Sequence, residues 1–293
     1  MWQARYLYLC FVPGLIFFVV FAYVPLAGNI IAWQDYSPFL GIGGSPFVAW
    51  DNFTRLVTDP AILNALQNTL IISFVQTVLG FPAPIMLSLL LNSIFFSFWR
   101  RLVQSIVYIP HFISWVVVVS LFQDLLSTNG PMNAMLSQLS LPPVQIYGNP
   151  DWWIALITSQ VIWKNVGWGT IIFLAAMLSI PSEQYESAVI DGAGSWRLTW
   201  HVTLPGIVPI VSLLFILTLG SVLTVGFEQI LLQQPAFGAQ TAEVLDTFVY
   251  YRGINGGEWG FATAAGLVKG IVGTILVITA NLASKRVVGS GLY

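Results

Sequence analysis

The sequence predicts an all-α integral membrane protein with six transmembrane helices, and three observations carry that prediction. Hydrophobic residues fill 57% of the 293 positions and charged residues only 8%, against roughly a quarter charged in soluble globular domains. Apolar runs long enough to cross a hydrocarbon core of about 30 Å, which takes roughly 20 residues of helix, occur six times, at 7–31, 66–91, 103–126, 152–180, 204–227 and 261–283. The connecting segments alternate between short and long, with Gly, Pro, Asn and acids gathered in the long ones, as expected of loops that alternate between two aqueous compartments. A single membrane domain over 1–293 is the simplest division.

The run 7–31 exceeds the apolar core of a signal peptide, about 7 to 15 residues, and lacks a small-residue cleavage site, so it reads as a retained helix. It holds Cys10, the only cysteine, which excludes an intrachain disulfide and a paired-cysteine metal site. In the second run Pro82 and Pro84, and in the third Pro110, remove backbone donors and predict kinks, tolerated in a membrane where neighbours satisfy the freed carbonyls. Pro205 suits the first turn of the fifth run. In the sixth, Ala262, Gly266 and Gly270 recur every fourth position, a face that permits close helix approach. The long segments 33–65, 127–151 and 228–260 are large enough to fold locally. In the last of these, Val244, Leu245, Phe248 and Tyr251 repeat at helical spacing and predict a short surface helix over 242–251, ended by Arg252-Gly253, with Asn255-Gly256-Gly257 marking the turn back into the membrane.

Basic residues set the topology. With the N-terminus in the cytoplasm, Arg5, Arg100, Arg101, Arg197, Lys285 and Arg286 fall inside and only Arg55 and Arg252 outside, so the positive-inside rule places both termini in the cytoplasm. The segment 182–203 is then cytoplasmic as well.

That segment is a polar island. Glu183, Glu186, Asp191 and Arg197 lie within it, whereas the flanking runs 152–180 and 204–227 hold one formal charge, Lys164. Ser182 is a candidate N-cap, with Glu183 favoured by the helix dipole in the first turn. Tyr185, Ala188 and Val189 share a face at i, i+3 and i+4, and Gly192 and Gly194 end the helix. A second short piece presents Trp196 and Trp200 on one side. Two readings fit: a hinged pair of helices that docks into a groove of a soluble partner, or an interfacial helix resting on lipid headgroups.

The order Glu186, Ala188, Gly192, Val202, Leu204, Pro205 resembles the EAA signature of permease subunits from binding-protein-dependent ABC importers, with Ser187 in place of one Ala and Val202 in place of Ile. The segments Tyr108-Ile109-Pro110-His111-Phe112-Ile113-Ser114-Trp115, Trp163-Lys164-Asn165-Val166-Gly167-Trp168-Gly169 and Val225-Gly226-Phe227-Glu228-Gln229-Ile230 resemble its polysaccharide- and oligosaccharide-importing branch. The resemblance implies a type I importer permease fold in a bacterial plasma (inner) membrane. It also implies a second, related permease subunit, two cytoplasmic ABC ATPase subunits that bind ATP and Mg, and an external solute-binding protein that delivers sugar. Glu186, Ser187, Ala188, Asp191, Gly192, Leu204 and Pro205 would form the coupling element that docks on an ATPase.

The chain has no G-x-x-x-x-G-K-[ST], and His111 and His201 belong to no H-E-x-x-H, which agrees with the role the resemblance implies, a transport subunit with no cofactor of its own rather than an enzyme. Its expected partners are those subunits and lipid, with no nucleic acid. An ion-coupled carrier and a non-transporting scaffold or sensor are the alternatives. The first usually buries carboxylates on an ion path, yet Asp124 and Glu228 fall near outer helix ends.

Lys164 stands near the middle of the fourth run, where a lysine costs about 2.5 to 3.5 kcal/mol on insertion scales and should face protein or water. Gln160, Lys164 and Trp168 share its face at i, i+4 and i+8, with Trp163 and Gly167 beside them. Amides for sugar hydroxyls and aromatic faces for C–H surfaces are what a sugar path requires. Gln160, Trp163, Lys164, Asn165 and Trp168, with Gln76 on the second run, are therefore the candidate lining of a substrate pathway; a buried ion pair is the alternative role for Lys164.

Overall fold

The computed structural model describes residues 5–94 and 96–287; residue 95 and both ends of the predicted 1–293 domain lie outside that range. Its principal helices are α1 (Arg5–Phe18), α2 (Pro60–Gly80), α3 (Pro82–Asn92), α4 (Ser97–Tyr108), α5 (Trp115–Leu126), α6 (Trp153–Leu178), α7 (Ser182–Ile190), α8 (Leu204–Gly220), α9 (Phe227–Phe237) and α10 (Trp259–Val287). Among the described residues, five helical stretches are long and apolar enough to cross a membrane: Leu9–Trp33, Pro60–Asn92, Pro150–Leu178, Ser195–Gly220 and Trp259–Arg286. A sixth is obtained if Ser97–Phe112 and Trp115–Gln138, bent by 105°, are taken as one broken span.

Where the expected helices bend, proline chemistry accounts for most of it. The run 103–126 is two helices: α4 passes into a tight turn, Ile109–Phe112, with Pro110 near its start, and Ser114 then caps α5 by accepting from the Val117 N–H at 3.5 Å. In the first span a wide turn at Val19–Tyr23 closes with Val24 N–H on the Val19 carbonyl, and Pro25 follows at once. The same arrangement recurs at Thr199–Thr203, where Leu204 N–H reaches the Thr199 carbonyl immediately before Pro205. A proline cannot donate to the carbonyl four residues back, and a widened turn makes room for its ring. The run expected to reach 227 stops at Gly220, because 221–226 turn and Gly226 takes a left-handed φ of 44° before α9 begins.

The chain divides into two compact units. The first comprises 1–63 and 248–271. Here the buried Asn52 amide donates to the carbonyls of Ala32 at 2.9 Å and Gln34 at 3.0 Å, tying the helix Asp51–Thr58 to the end of the first span. Arg252 lies between Asp59 at 3.1 Å and Glu258 at 3.0 Å, Arg55 pairs with the same Glu258, and the Arg55 guanidinium covers the Phe261 ring at 4.4 Å. Charges this exposed contribute through geometry and network more than through any single pair. Glycine is required at 260, where a Cβ would stand 2.1 Å from the Gln34 carbonyl oxygen.

The second unit, 64–247 and 272–293, is organised around α6. Its core joins Ile72 of α2 with Trp153, Leu156 and Ile157 of α6, Ile230 and Phe237 of α9, and Val225, Ala242 and Val244. Close approach on the last helix comes from Gly273, whose added Cβ would meet the Gly220 carbonyl at 2.8 Å, whereas a Cβ at Gly266 would meet nothing within 4 Å. The expected small-residue stripe is thus tight only at its start, where a Cβ at Gly253 would lie 2.4 Å from the Ala262 methyl, and open at Gly266 and Gly270. The short helix expected over 242–251 is Leu245–Val249, continued by a wide turn at Tyr250–Asn255, with Val244 and Phe248 buried.

Candidate functional site

Within the second unit a cavity of about 580 Å³ opens between α2, α3, α6 and α8, inside the range of roughly 300 to 1,000 Å³ usual for small-molecule sites. The α2 wall presents Ser73, Gln76, Thr77 and Gly80 at i, i+3, i+4 and i+7, one face of a helix. Asn165, Trp168 and Gly169 come from α6, and Thr218, Ser221 and Thr224 from the end of α8 and the turn after it. Phe81, Phe173 and Pro84 supply apolar surface. The lining thus mixes amides, hydroxyls and aromatic rings and carries no ionisable side chain. Pro84 seats against α6 at Gly169, where a Cβ would approach its ring to 2.8 Å. The Ser73 hydroxyl donates to the Val222 carbonyl, which joins α2 to the turn over the cavity. The Gln76 amide nitrogen is buried with no hydrogen-bond partner, an uncommon state for a polar atom that usually calls for a partner not yet present.

The sequence-derived candidates separate into different environments. Gln76, Asn165 and Trp168 line the cavity; Gln160, Trp163 and Lys164 do not. One residue along α6 is a turn of 100°, and that step divides them. Gln160 is fully buried in an amide cluster: its Oε1 accepts from Gln229 at 2.7 Å and Gln233 at 3.0 Å, and its Nε2 donates to Gln233 at 3.1 Å. This cluster holds α9 to α6. Trp163 stands edge-on to Phe122, ring centroids 5.7 Å apart. Lys164 points its ammonium at the carbonyls of Pro110, His111 and Ile113, so its near hydrogen-bond partners are backbone oxygens rather than a carboxylate.

Sequence reasoning missed Ser73, Thr77, Thr218, Ser221 and Thr224. The signal for the α2 wall was present, since polar or small residues at 73, 76, 77 and 80 share a helical face in an otherwise apolar run. Nothing comparable marks 221–224, which belong to the wall only because α8 ends there.

The polar island is a second feature of the same unit. Ser182 is the first residue of α7, Pro181 precedes it, and Glu183 occupies the first turn. The helix ends in a reciprocal pair of bonds: Ala193 N–H reaches the Ala188 carbonyl at 2.9 Å and Gly192 N–H the Val189 carbonyl at 3.0 Å. This is a Schellman closure, and it requires the left-handed φ of 82° at Gly192. The second short piece, Ser195–Leu198, runs on through the wide turn at Thr199–Thr203 into α8 without separating from it. The Tyr185 hydroxyl, 3.1 Å from that of Thr203, fastens α7 to the wide turn. Glu186, Ser187, Asp191, Gly192 and Pro205 are exposed, and Ala188 and Leu204 half-buried. Ile190, at 86% exposure, and Val189, at 56%, leave apolar surface outward on a helix rich in charge. Trp196 and Trp200, also exposed, pack edge to face with centroids 6.0 Å apart.

Comparison with known proteins agrees with this architecture. The protein LplB of Bacillus subtilis (strain 168) is 40% identical over 290 residues, 99% of this chain and 91% of that protein. The polygalacturonan/rhamnogalacturonan transport system permease protein YteP of the same organism is 42% identical over 292 residues, 99% and 91% of the two chains. Among solved structures, a chain of a bacterial alginate ABC transporter in complex with an alginate pentasaccharide-bound periplasmic protein superposes with a TM-score of 0.90 at 37% identity, covering 99% of this chain and 97% of that one. The cavity-forming helices, α7 with its glycine closure, and α8 all fall in residues 76–289 or border on them, and that stretch matches the inner membrane component of binding-protein-dependent transport systems. With its apolar spans and type I importer permease fold, the chain belongs to that family of multi-pass transport permeases.

Proposed function

We propose that this chain is one permease subunit of an ATP-driven importer that moves oligosaccharides or polysaccharide fragments into the cytoplasm by alternating access. The observation that carries the proposal is the cavity of about 580 Å³ whose Gln76 amide nitrogen lacks a partner. A rotation of the Gln76 side chain, which lines the cavity, would bring that nitrogen to a sugar hydroxyl, and Trp168 offers an aromatic face to C–H surfaces. Relatives named for polygalacturonan, rhamnogalacturonan and alginate transport support the same substrate class. Gln76, Asn165 and Trp168 form the narrower contact set; Gln160, Trp163 and Lys164 act from behind the wall.

The remaining assembly follows the family. A second, related permease completes the pathway, two cytoplasmic ATPases bind ATP and Mg, and an external solute-binding protein delivers the sugar. Both termini and α7 lie on the cytoplasmic side of a bacterial plasma membrane. Glu186, Ser187, Ala188, Asp191 and Gly192 dock on an ATPase, with Leu204 and Pro205 passing its movement into α8. The outward Ile190 and Val189 favour a protein groove over solvent as the surroundings of this helix.

The test is uptake by proteoliposomes holding both permeases, the ATPases and the binding protein, with a radiolabelled hexuronic-acid tetrasaccharide and a neutral hexose tetrasaccharide as probes. ATP-dependent accumulation of either, reduced in Gln76→Leu, is expected. Accumulation driven by an ion gradient without ATP, or none of either sugar by an intact complex, would overturn the reading.

A further inference from the structure

The ammonium of Lys164 lies at the break between α4 and α5. A helix that ends leaves its last carbonyls without intrahelical donors, and within a bilayer no water replaces them. Here the ammonium donates to the Pro110 carbonyl at 3.4 Å, to the His111 carbonyl at 2.8 Å and to that of Ile113. Those bonds match the three donors an ammonium has. A cation at a helix C-terminus also opposes the negative end of the helix dipole, and the Trp115 ring lies 5.5 Å from the same nitrogen. Lys164, only 8% exposed, therefore caps a broken span.

The capped segment carries His111. Its ring stacks on Trp168 with centroids 4.6 Å apart and planes 5° from parallel, and its Nδ1 lies 3.1 Å from the Asn165 Oδ1. Trp168 and Asn165 line the cavity, whereas His111 and Lys164 do not. A close crossing one turn along α6 keeps the same segment in place, since a Cβ at Gly167 would fall 1.9 Å from the Val107 carbonyl oxygen. We infer that Lys164 is a positioning residue for the substrate wall: by capping the 109–113 break it holds the His111 ring against Trp168 and Asn165, and so fixes the orientation of two side chains that meet the transported sugar. The inference rests on the proposed sugar pathway for its transport consequence, though not for its structural one.

The experiment uses the assembled transporter in lipid nanodiscs, with 13C-labelled histidine in this chain alone. His111 and His201 are the only two histidines, so His201→Gln assigns the His111 signal, which the Trp168 ring current displaces. Lys164→Met should remove that displacement and raise the KM for uptake of the tetrasaccharide probes by about tenfold, the equivalent of one hydrogen-bonded contact, with maximal rate within about twofold. Lys164→Arg should restore both. A displaced His111 signal and native KM in an assembled Lys164→Met complex would overturn the inference. If Lys164→Met does not assemble, His111→Ala, with the ammonium cap intact, should reproduce the rise in KM, and an unchanged KM there overturns it equally. A native complex that takes up neither probe counts against the sugar reading alone, and the histidine signal then decides whether Lys164 holds the stack.

Discussion

Replacing Gly192 separates the hinge of α7 from its surface chemistry. The φ of 82° lies in the left-handed region, yet a Cβ at this position would meet nothing within 4 Å. Gly192→Ala therefore incurs only the backbone penalty of an L-residue in that region, about 1 kcal/mol, and keeps both closing bonds. That corresponds to a loss of roughly fivefold in the population of the closed hinge. Gly192→Pro differs in kind. Its ring fixes φ near −65° and removes the N–H that now reaches the Val189 carbonyl at 3.0 Å. The conformational conflict and the lost bond together cost about 3 kcal/mol and make the closure roughly a hundredfold rarer. In proteoliposomes with the partner subunits, sugar accumulated per ATP hydrolysed is the quantity to measure. Gly192→Ala should retain most of it and Gly192→Pro almost none, while protease protection shows the spans still inserted. Native uptake and native stoichiometry in an inserted Gly192→Pro complex would refute the assignment of α7 as the coupling element.

The exposed Ile190 gives a companion test: Ile190→Asp should leave the thermal midpoint of the isolated chain unchanged, because the side chain is 86% exposed, but weaken ATPase co-purification by about tenfold. Gln160→Leu leaves the amides of Gln229 and Gln233 without their shared partner; a loss of about 2 kcal/mol, read as a lower melting temperature in detergent, is expected, and an unchanged melt would show the cluster to be dispensable. Gly167→Ala forces a methyl toward the Val107 carbonyl, with backbone rather than a pliant side chain in the way, and should cost about 1 to 3 kcal/mol by the same assay. Gln76→Leu removes the unpartnered donor from the cavity, so the KM for uptake should rise by about tenfold while the melting temperature holds or increases.

Much of the helical frame was legible because a bilayer enforces it: a run of apolar residues of spanning length has few alternatives to a helix that satisfies its own backbone. Glycine and charge marked α7 as well, since a left-handed closure and a run of acids leave local signals at Gly192, Glu183 and Glu186. The wall of the cavity was less legible. Periodicity identified a polar stripe through Gln160, Lys164 and Trp168, but a helix with apolar residues on every side gives no sign of which stripe faces a void and which faces another helix. The packing of α6 against the α4 to α5 break assigned Lys164 to backbone carbonyls, and α9 claimed Gln160.

The sequence by itself determined that this chain is helical, crosses a membrane and carries a glycine-closed polar segment between two apolar runs, because each of those properties is written in residues close together along the chain. Only the tertiary structure decided which polar side chains face the cavity and which serve as caps and clasps. A buried lysine, a glutamine cluster and a cavity-facing amide are chemically alike in a list of residues, and what distinguishes them is whether a carbonyl from fifty residues away arrives to accept their hydrogens.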